Sequence, residues 1–236
     1  MINYLEWDSH FFGYKVGKIY ISDLVVDLQV LLQDAQKHHY KLLYVRIANQ
    51  ALFQALKAEL EKWGKWVDER ITFLKDISHL QNKPQSAFVK DFQELQPTAE
   101  MYALALRSGE YSRFRLDSSF QNKEFERLYT IWLERSVAKQ IADKVLVYEK
   151  DSKVVGMVTL AFQEGISKVG LVAVDKDFEG QGIGYELFQV AFEQSKQNNC
   201  KQMWLTTQGA NHKACEFYQK LGFEIQKKEY TYHIWL

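Results

Sequence analysis

Cysteine is scarce in this sequence, which contains two cysteines among 236 residues. Cys200 and Cys215 form no Cys-x-x-Cys pair, and no cluster of histidines stands beside them at metal-ligand spacing. We therefore expect neither a disulfide framework nor a zinc site, and we predict that the protein binds no metal. Both thiols are interpreted as ordinary buried or half-buried side chains.

The sequence also lacks an excess of charge and a long apolar run. Thirty basic residues balance thirty acidic residues, so no global field attracts the chain to nucleic acid or to an anionic membrane. No apolar stretch approaches the roughly 18 to 20 residues that a membrane-spanning helix needs. Glu6, Asp8 and His10 stand where a signal peptide would be apolar. We accordingly expect a cytoplasmic protein without nucleic-acid or membrane partners.

Proline is equally rare, and its two occurrences mark a candidate domain boundary. Pro84 lies within a polar stretch from Gln81 to Gln96, and Pro97 directly follows it. We predict an N-terminal αβ domain over residues 1–85 and a second domain over residues 86–236. With 47% hydrophobic and 14% aromatic residues, the chain has ample apolar material for packed cores.

Hydrophobic periodicity predicts an alternation of strands and helices along both domains. In the first domain we expect strands at Val16–Ile21, Leu42–Ile47 and Trp66–Lys75, and helices at Leu24–His38 and Gln50–Trp63. In the second we expect helices at Thr98–Arg107, Asn122–Ser136 and Asn211–Leu221, and strands at Lys144–Glu149, Val154–Phe162, Ser167–Val174, Gln202–Thr207 and Phe223–Leu236. The first two of these strands form a hairpin that turns at Asp151-Ser152. Residues 41–64 and 201–222 have similar spacing, which is typical of an internal duplication or of two coincidentally similar αβ units.

A glycine-rich segment after a buried strand is the most informative motif. Gly180, Gly182 and Gly184 follow the apolar run Leu171–Val174 and open an amphipathic helical pattern. Glycines at a helix N-terminus let an anion such as a pyrophosphate approach unpaired backbone N–H groups. A P-loop would need Lys-Ser/Thr where this chain has Tyr185-Glu186, and a dinucleotide fingerprint would need a different glycine spacing. The alternative is a strand-to-helix turn without a ligand.

Residues 179–184 resemble the acetyl-CoA pyrophosphate loop of the GNAT superfamily of N-acyltransferases, usually written Arg/Gln-x-x-Gly-x-Gly/Ala. Glu179 departs from the usual Arg/Gln, which affects a side-chain contact but not the backbone amides. The resemblance covers about Ala99–Leu236. It implies an α/β (α+β) fold with a mixed, mostly antiparallel sheet flanked by helices, preceded by a degenerate αβ half-unit. It also implies that acetyl-CoA contacts Val172, Ala173, Val174, Glu179, Gly180, Gln181, Gly182, Ile183 and Gly184.

A second motif lies on the last predicted helix. Residues 211–223 match the family pattern Asn-x-x-Ala-x-x-Phe-Tyr-x-x-x-Gly-Phe. By that resemblance Asn211 contacts the acyl donor and Tyr218 is the general acid that protonates the departing CoA thiolate. A phenol with pKa near 10 can re-form a thiol with pKa near 8.5. The alternatives are that Asn211 only caps the helix and that Tyr218 belongs to its apolar stripe.

The acceptor side is less well marked. Arg113, or its neighbour Arg115, is a candidate for holding phosphate, and Trp132 is a candidate ring for stacking on a base. A solvated arginine pair and ordinary core aromatics are the alternative interpretation. Trp7-Asp8-Ser9-x-Phe-Phe-Gly, Ser-Arg-Phe at 112–114, Tyr-x-x-Trp at 129–132 and Thr207-Gln208 together resemble the bacterial dTDP-fucosamine acetyltransferases. Those enzymes acetylate the 4-amine of a dTDP-linked 4-amino-4,6-dideoxygalactose for surface polysaccharide assembly.

The resemblance implies an acetyl-CoA-dependent N-acetyltransferase of a nucleotide-linked amino sugar, in which the amine attacks the thioester directly. Two alternatives remain: a GNAT enzyme for another small-molecule or protein amine, and a non-catalytic binder of acyl-CoA or a nucleotide sugar. The general base is unassigned among His10, His212, His233 and ordered water. A homodimer is expected from the family and from the aromatic strand Tyr230–Trp235, interpreted as an exposed pairing edge or as an ordinary buried strand.

Overall fold

A computed structural model describes residues 1–24, 27–81 and 86–236. In the first 91 residues the elements are β1 (Asn3–Tyr4), α1 (Glu6–Phe12), β2 (Val16–Ile21), α2 (Leu28–Lys37), β3 (Leu42–Ile47), α3 (Gln50–Leu60), β4 (Lys65–Asp76) and β5 (Val89–Asp91). They are followed by α4 (Ala99–Ser108), α5 (Arg113–Leu116), α6 (Glu124–Val137), β6 (Lys144–Lys150), β7 (Lys153–Gln163), β8 (Ile166–Val174), α7 (Ile183–Gln197), β9 (Gln202–Gln208), α8 (His212–Lys220) and β10 (Glu224–Trp235). A 3₁₀ turn spans Lys176–Phe178 between β8 and α7.

The chain folds into two compact units, each built from segments that are separate in the sequence. Unit 1 comprises residues 1–71, 207–212 and 225–236, and unit 2 comprises residues 72–206 and 213–224. The predicted boundary between residues 85 and 86 adjoins residues 82–85, including Pro84, which lie outside the described residues, so that boundary stays a prediction. Residues 25 and 26 of the predicted helix Leu24–His38 also lie outside them, and the helix itself begins at Leu28.

Unit 1 contains a mixed sheet in the order β1-β2-β3-β10-β4. β2 and β3 are parallel, whereas β10 runs antiparallel to β3 from Tyr230 to Trp235. The apolar faces of α2 and α3 are buried against this sheet in one core. Its fully buried members include Ile21, Ala35, Leu43, Val45, Ile47 and Leu60.

The aromatic C-terminal strand lies in the interior of that sheet. β10 is placed between β3 and β4, and Tyr230, Tyr232 and Ile234 are buried. A strand with partners on both sides offers no unpaired backbone row to a second copy. The expectation of an exposed pairing edge is therefore wrong, because an alternating aromatic strand cannot reveal how many partner strands it will have. The interpretation as an ordinary buried strand is confirmed.

Unit 2 contains a sheet in the order β9-β8-β7-β6-β5, in which only the β8–β9 pair is parallel. α4 packs on β7, β8 and α6, and α7 packs on β5, β6, β7 and β8. Gly156 of β7 makes the α7 contact close, since a Cβ there would lie 3.0 Å from both Ile183 and Leu187. α7 is thereby fixed on the sheet at its first turn, where the glycine-rich motif lies.

Candidate functional site

The glycine-rich motif forms the turn that starts α7. Gly180 and Gly182 have φ angles of 75° and 83°, a region that L-residues rarely adopt. A Cβ added at either position would meet no atom within 4 Å, so the loop is open on that side. The first intrahelical bond is donated by Glu186 N to Gly182 O at 3.0 Å, and the amides of Ile183 and Gly184 precede it. This geometry fits a bound pyrophosphate.

The strand before the loop, β8, pairs with its parallel neighbour β9 over only part of its length. The β8–β9 ladder joins Ile166–Lys168 to residues 202–204, and in the described chain it ends there. On the other side, the register of β7 and β8 shifts between Val158 and Leu160, which marks a β-bulge. Thr159 Oγ1 accepts a 2.8 Å hydrogen bond from Leu171 N, and Gly170 leaves room for it. The β8–β9 ladder therefore does not use the main-chain groups of Val172–Val174.

Glu179, which departs from the Arg or Gln of the motif that residues 179–184 resemble, is paired with two cations. Arg107 of α4 donates through Nη2 to its carboxylate and through Nε to the carbonyl of Val174 at 2.7 Å. Lys213 of α8 donates to Glu179 Oε2 at 2.6 Å. The hydrogen bonds from Lys213 and Arg107 lower the pKa of Glu179 against the opposing effect of burial. The carboxylate is therefore ionised at neutral pH.

Tyr218 lies on the buried face of α8 within an aromatic cluster. Tyr218 as a whole is 4% exposed to solvent. The ring centroid lies 5.7 Å from that of Phe73, 5.8 Å from Phe188 and 6.1 Å from Phe223. Burial, with a smaller contribution from Cys215, raises the pKa of the Tyr218 phenol well above its ordinary value. The Tyr218 ring therefore packs as a member of the apolar stripe of α8. Because its pKa is raised, the phenol is neutral at any physiological pH.

The structure places the other predicted residues in different surroundings. Asn211 precedes α8 in unit 1, where its N–H donates to Gln208 O at 2.9 Å. Arg113 begins α5, and its guanidinium lies 4.7 Å from the centre of the Phe114 ring. Trp132 is half-buried on α6, which packs against α5. The hydrogen bonds therefore gather the loop, the end of β8 and α8 around Glu179, while Arg113 and Trp132 lie on the α5–α6 pair.

Aromatic packing on α6 is mostly structural. Trp132 meets Tyr129 edge to face, with 4.9 Å between centroids. Tyr129 is itself buried over Gly109, where a Cβ would lie 2.3 Å from the ring. Tyr129 is therefore a core residue, whereas Trp132 keeps part of its surface available to a ligand.

Groups that could hold a metal ion and helices that could span a membrane are both absent from the described residues. Within the described ranges, no three His, Cys, Asp or Glu side chains are grouped so that they could hold a metal ion. No helix of the described residues has both the length and the apolar character that crossing a lipid bilayer requires.

Comparison with known proteins identifies the family. The model of the acetyltransferase (GNAT) family matches residues 98–223, which is more than half of the chain. The chain belongs to the GNAT family. Membership confirms the predicted mixed sheet flanked by helices, and the matched model describes a family of acetyltransferases.

Individual relatives match only parts of the chain, at low sequence identity. YxbD of Bacillus subtilis is 34% identical over 77 residues, which are 33% of this chain and 47% of YxbD. The spore coat polysaccharide biosynthesis protein SpsD of B. subtilis is 26% identical over 138 residues, 58% of this chain and 47% of SpsD. N-alpha-acetyltransferase 30 of Schizosaccharomyces pombe is 32% identical over 66 residues, 28% of this chain and 44% of that protein. The chain thus spans about half the length of the curated relatives it matches.

Solved structures share the fold over nearly the whole chain. A conserved protein of unknown function from Staphylococcus epidermidis superposes with a TM-score of 0.62 at 16% identity, over 94% of this chain and 84% of that one. A GCN5-related N-acetyltransferase from Sphaerobacter thermophilus superposes with a TM-score of 0.58 at 14% identity, over 92% and 72% of the chains. At these identities the likeness concerns the fold alone.

Sequence reasoning missed three side chains around the GNAT loop. Arg107 appears in the sequence only as the last residue of a predicted helix, and its partners are 67 and 72 residues away along the chain. Lys213 has no feature in the sequence beyond its place two residues after Asn211. Lys150, at the end of β6, donates to Gln181 Oε1 at 2.9 Å. No local pattern distinguishes these cations from the other basic residues, because each is selected by a tertiary contact.

Proposed function

We propose that the chain is an acetyl-CoA-dependent N-acetyltransferase that acetylates the amine of a nucleotide-linked amino-dideoxy sugar. The observation that carries the donor half is the open glycine loop at the start of α7, which follows β8 and a 3₁₀ turn. β8 pairs with β9 only over Ile166–Lys168 in the described chain. The loop amides suit a pyrophosphate, and the main chain of Val172–Val174 suits an extended, amide-bearing pantetheine arm. Gly180–Gly184 and Val172–Val174 would therefore hold the two ends of one donor.

The reaction needs no covalent enzyme intermediate. A neutral amine attacks the thioester carbonyl, an oxyanion develops, and the C–S bond breaks to release CoA thiolate. Main-chain N–H groups at the end of β8 would stabilise the oxyanion. Tyr218 would donate the proton that converts the thiolate to a thiol. Its raised pKa supports this role in one respect, since the phenol is fully protonated before the reaction.

The acceptor half rests on α5 and α6. Arg113 is a half-buried guanidinium that can bind a phosphate oxygen pair in a bidentate manner, and Trp132 is a half-buried ring that can stack on a base. The match to SpsD, a protein named for spore coat polysaccharide biosynthesis, adds support because it covers 58% of this chain. A nucleotide diphosphate sugar has both the charge and the ring that these two side chains would recognise.

A protein or peptide amine is the second candidate acceptor. The match to N-alpha-acetyltransferase 30 favours it, although it covers 28% of this chain. A peptide acceptor would make no use of Arg113 as a phosphate ligand. The two candidates therefore differ in whether the acceptor KM depends on this arginine.

Thiol release from acetyl-CoA by the purified protein tests the proposal. The acceptors are dTDP-4-amino-4,6-dideoxygalactose, its UDP counterpart, spermidine and a short peptide with a free N-terminus. Turnover with a nucleotide sugar and none with the other amines is the expected result. Turnover restricted to the peptide would select the second candidate, and CoA binding without turnover of any acceptor would make the chain a binding protein.

A further inference from the structure

Glu179 departs from the GNAT pattern, and its surroundings explain what it does instead. We propose that Glu179 and Arg107 form a clamp that fixes the glycine-rich loop against the end of β8 and so sets the affinity for the CoA donor. Both are positioning residues, since they act through the loop and the strand. The inference rests on the proposed function, because it assigns a role within the same donor site.

One guanidinium joins the two donor-binding segments. Arg107 Nε donates to the carbonyl of Val174, the last residue of β8, at 2.7 Å. Its Nη2 donates to the carboxylate of Glu179, which immediately precedes Gly180. Between these partners the chain makes the single 3₁₀ turn Lys176–Phe178. Only arginine has donors in a rigid fork that can satisfy two acceptors in different directions.

The two ion pairs of Glu179 differ in strength. The Arg107 and Glu179 side chains are 28% and 30% exposed, so water and salt screen this pair only partly. The Lys213 side chain is 83% exposed, and an ion pair with such a lysine contributes little to stability. Arg107 is therefore the less screened partner of Glu179, whereas the hydrogen bond from Lys213 has the larger effect on the pKa of the Glu179 carboxyl.

This charge arrangement reverses the usual one at the loop. A carboxylate beside a pyrophosphate is unfavourable unless cations neutralise it, and both Arg107 and Lys213 do so here. An arginine at position 179, as in the family pattern, would instead face Arg107 and repel it. In this chain the cation is supplied by α4 and the anion by the loop. Glu179 is thus matched to Arg107 and is not a degenerate donor-binding position.

The substitution Glu179→Arg separates this inference from the family pattern. If residue 179 acted through a direct side-chain contact with the donor, Glu179→Arg would tighten CoA binding. The clamp predicts the opposite, a dissociation constant for CoA that rises about tenfold or more, because the loop loses its anchor and gains a like charge. Calorimetric titration of the purified chain with CoA measures the sign directly.

A double-mutant cycle with CoA tests the pairing. Glu179→Gln and Arg107→Met are each expected to raise the dissociation constant about tenfold, and the double variant about as much as the worse single one, since the two groups act as one unit. At saturating acetyl-CoA, kcat is expected to stay within about twofold, so that the loss appears in KM. Arg107→Lys is the conservative variant if Arg107→Met folds poorly; it retains the charge but not the fork, and an intermediate loss is expected.

The matched control is the exposed ion pair between Lys62 and Glu59 in unit 1, whose side chains are 65% and 44% exposed. Glu59→Gln and Lys62→Met are expected to leave CoA affinity unchanged. Unchanged affinity in the Glu179 and Arg107 variants, additive effects in the cycle, or tighter binding by Glu179→Arg would each overturn the clamp while leaving the proposed function intact. Wild-type protein that does not bind CoA would overturn both.

Discussion

Replacing Tyr218 with phenylalanine removes the hydroxyl from a tyrosine whose ring packs in an aromatic cluster. The rings of Phe73, Phe188 and Phe223 surround the tyrosine, and a phenylalanine ring keeps these contacts. The substitution therefore isolates the hydroxyl. If the hydroxyl delivers the proton to the CoA thiolate, Tyr218→Phe leaves the fold in place and lowers the rate of acetyl transfer.

The magnitude follows from the role. General acid catalysis typically contributes about 10² to 10⁴ in rate. Water can partly replace a lost acid, so we expect kcat to fall by at least about tenfold, which corresponds to about 1.4 kcal/mol of transition-state stabilisation. KM for acetyl-CoA should change little, because the hydroxyl is not assigned to donor binding.

The assay is thiol release with saturating acetyl-CoA and the acceptor that the wild-type protein turns over. Tyr232→Phe is the matched control, since Tyr232 is also a buried tyrosine, at 0% exposure, but belongs to the core of unit 1. It should leave kcat unchanged. A Tyr218→Phe variant with wild-type kcat would refute the assignment of Tyr218 as the acid and leave it a packing residue only.

Burial of Tyr218 also has a pH signature in stability. Its pKa in the folded protein is raised above the ordinary value near 10, so the folded state holds this proton more tightly than the unfolded state does. The resulting contribution to stability is complete below about pH 10 and is lost as the pH rises further through the folded pKa. Urea unfolding should therefore show that the wild type loses stability relative to Tyr218→Phe above pH 10.

Three further predictions concern other parts of the molecule. Gly182→Ala forces an L-residue to a φ of 83°, which costs about 1 to 2 kcal/mol, so thermal unfolding should occur a few degrees lower and KM for acetyl-CoA should rise. Arg113→Met should raise KM for a nucleotide-sugar acceptor about tenfold without changing KM for acetyl-CoA; equal KM values in the two proteins would exclude a phosphate contact. Tyr232→Phe should stabilise unit 1 by about 1 kcal/mol in urea unfolding, because the Tyr232 hydroxyl is buried without a hydrogen-bond partner among the described residues.

The elements that local sequence predicts well are those whose signal is complete within a few residues. Leu42–Ile47 has the predicted bounds because every residue of this central strand is apolar or long enough to pack, and five of the six positions are buried. The turn at Asp151-Ser152 is confirmed as a two-residue hairpin between β6 and β7. Both residues have positive φ, 50° and 60°, which the type I′ geometry requires.

The elements that local sequence misses depend on distant partners. α1 consists largely of aromatic and acidic residues, and its N-cap residue, Leu5, makes no side-chain capping hydrogen bond. Neither helix propensity nor a capping motif therefore identifies this segment as a helix. β5 is three residues long and exists because β6 pairs with it. The interior position of β10 likewise depends on β3 and β4, which precede it by more than a hundred residues.

The candidate site divides in the same way. Glycine spacing predicts the open loop because positive φ is a local property, and both Gly180 and Gly182 have it. What surrounds the loop is tertiary: Arg107, Lys150 and Lys213 come from α4, β6 and α8, and no spacing rule connects them. Glu179 shows the limit most clearly, because a residue that looks like a lost contact in the sequence is a paired carboxylate in the fold.

The burial of Tyr218 also constrains how it can act. A phenol whose pKa lies above 10 is a weaker acid than a thiol whose pKa is near 8.5, so transfer to a free thiolate is uphill, and burial widens the gap. If Tyr218 is the acid, the uphill transfer must be coupled to cleavage of the C–S bond, and the phenolate must recover its proton from solvent afterwards. In the proposed mechanism the aromatic cluster around Tyr218 would therefore have a chemical consequence: it would keep the proton on Tyr218 until the C–S bond breaks and would make the phenolate short-lived.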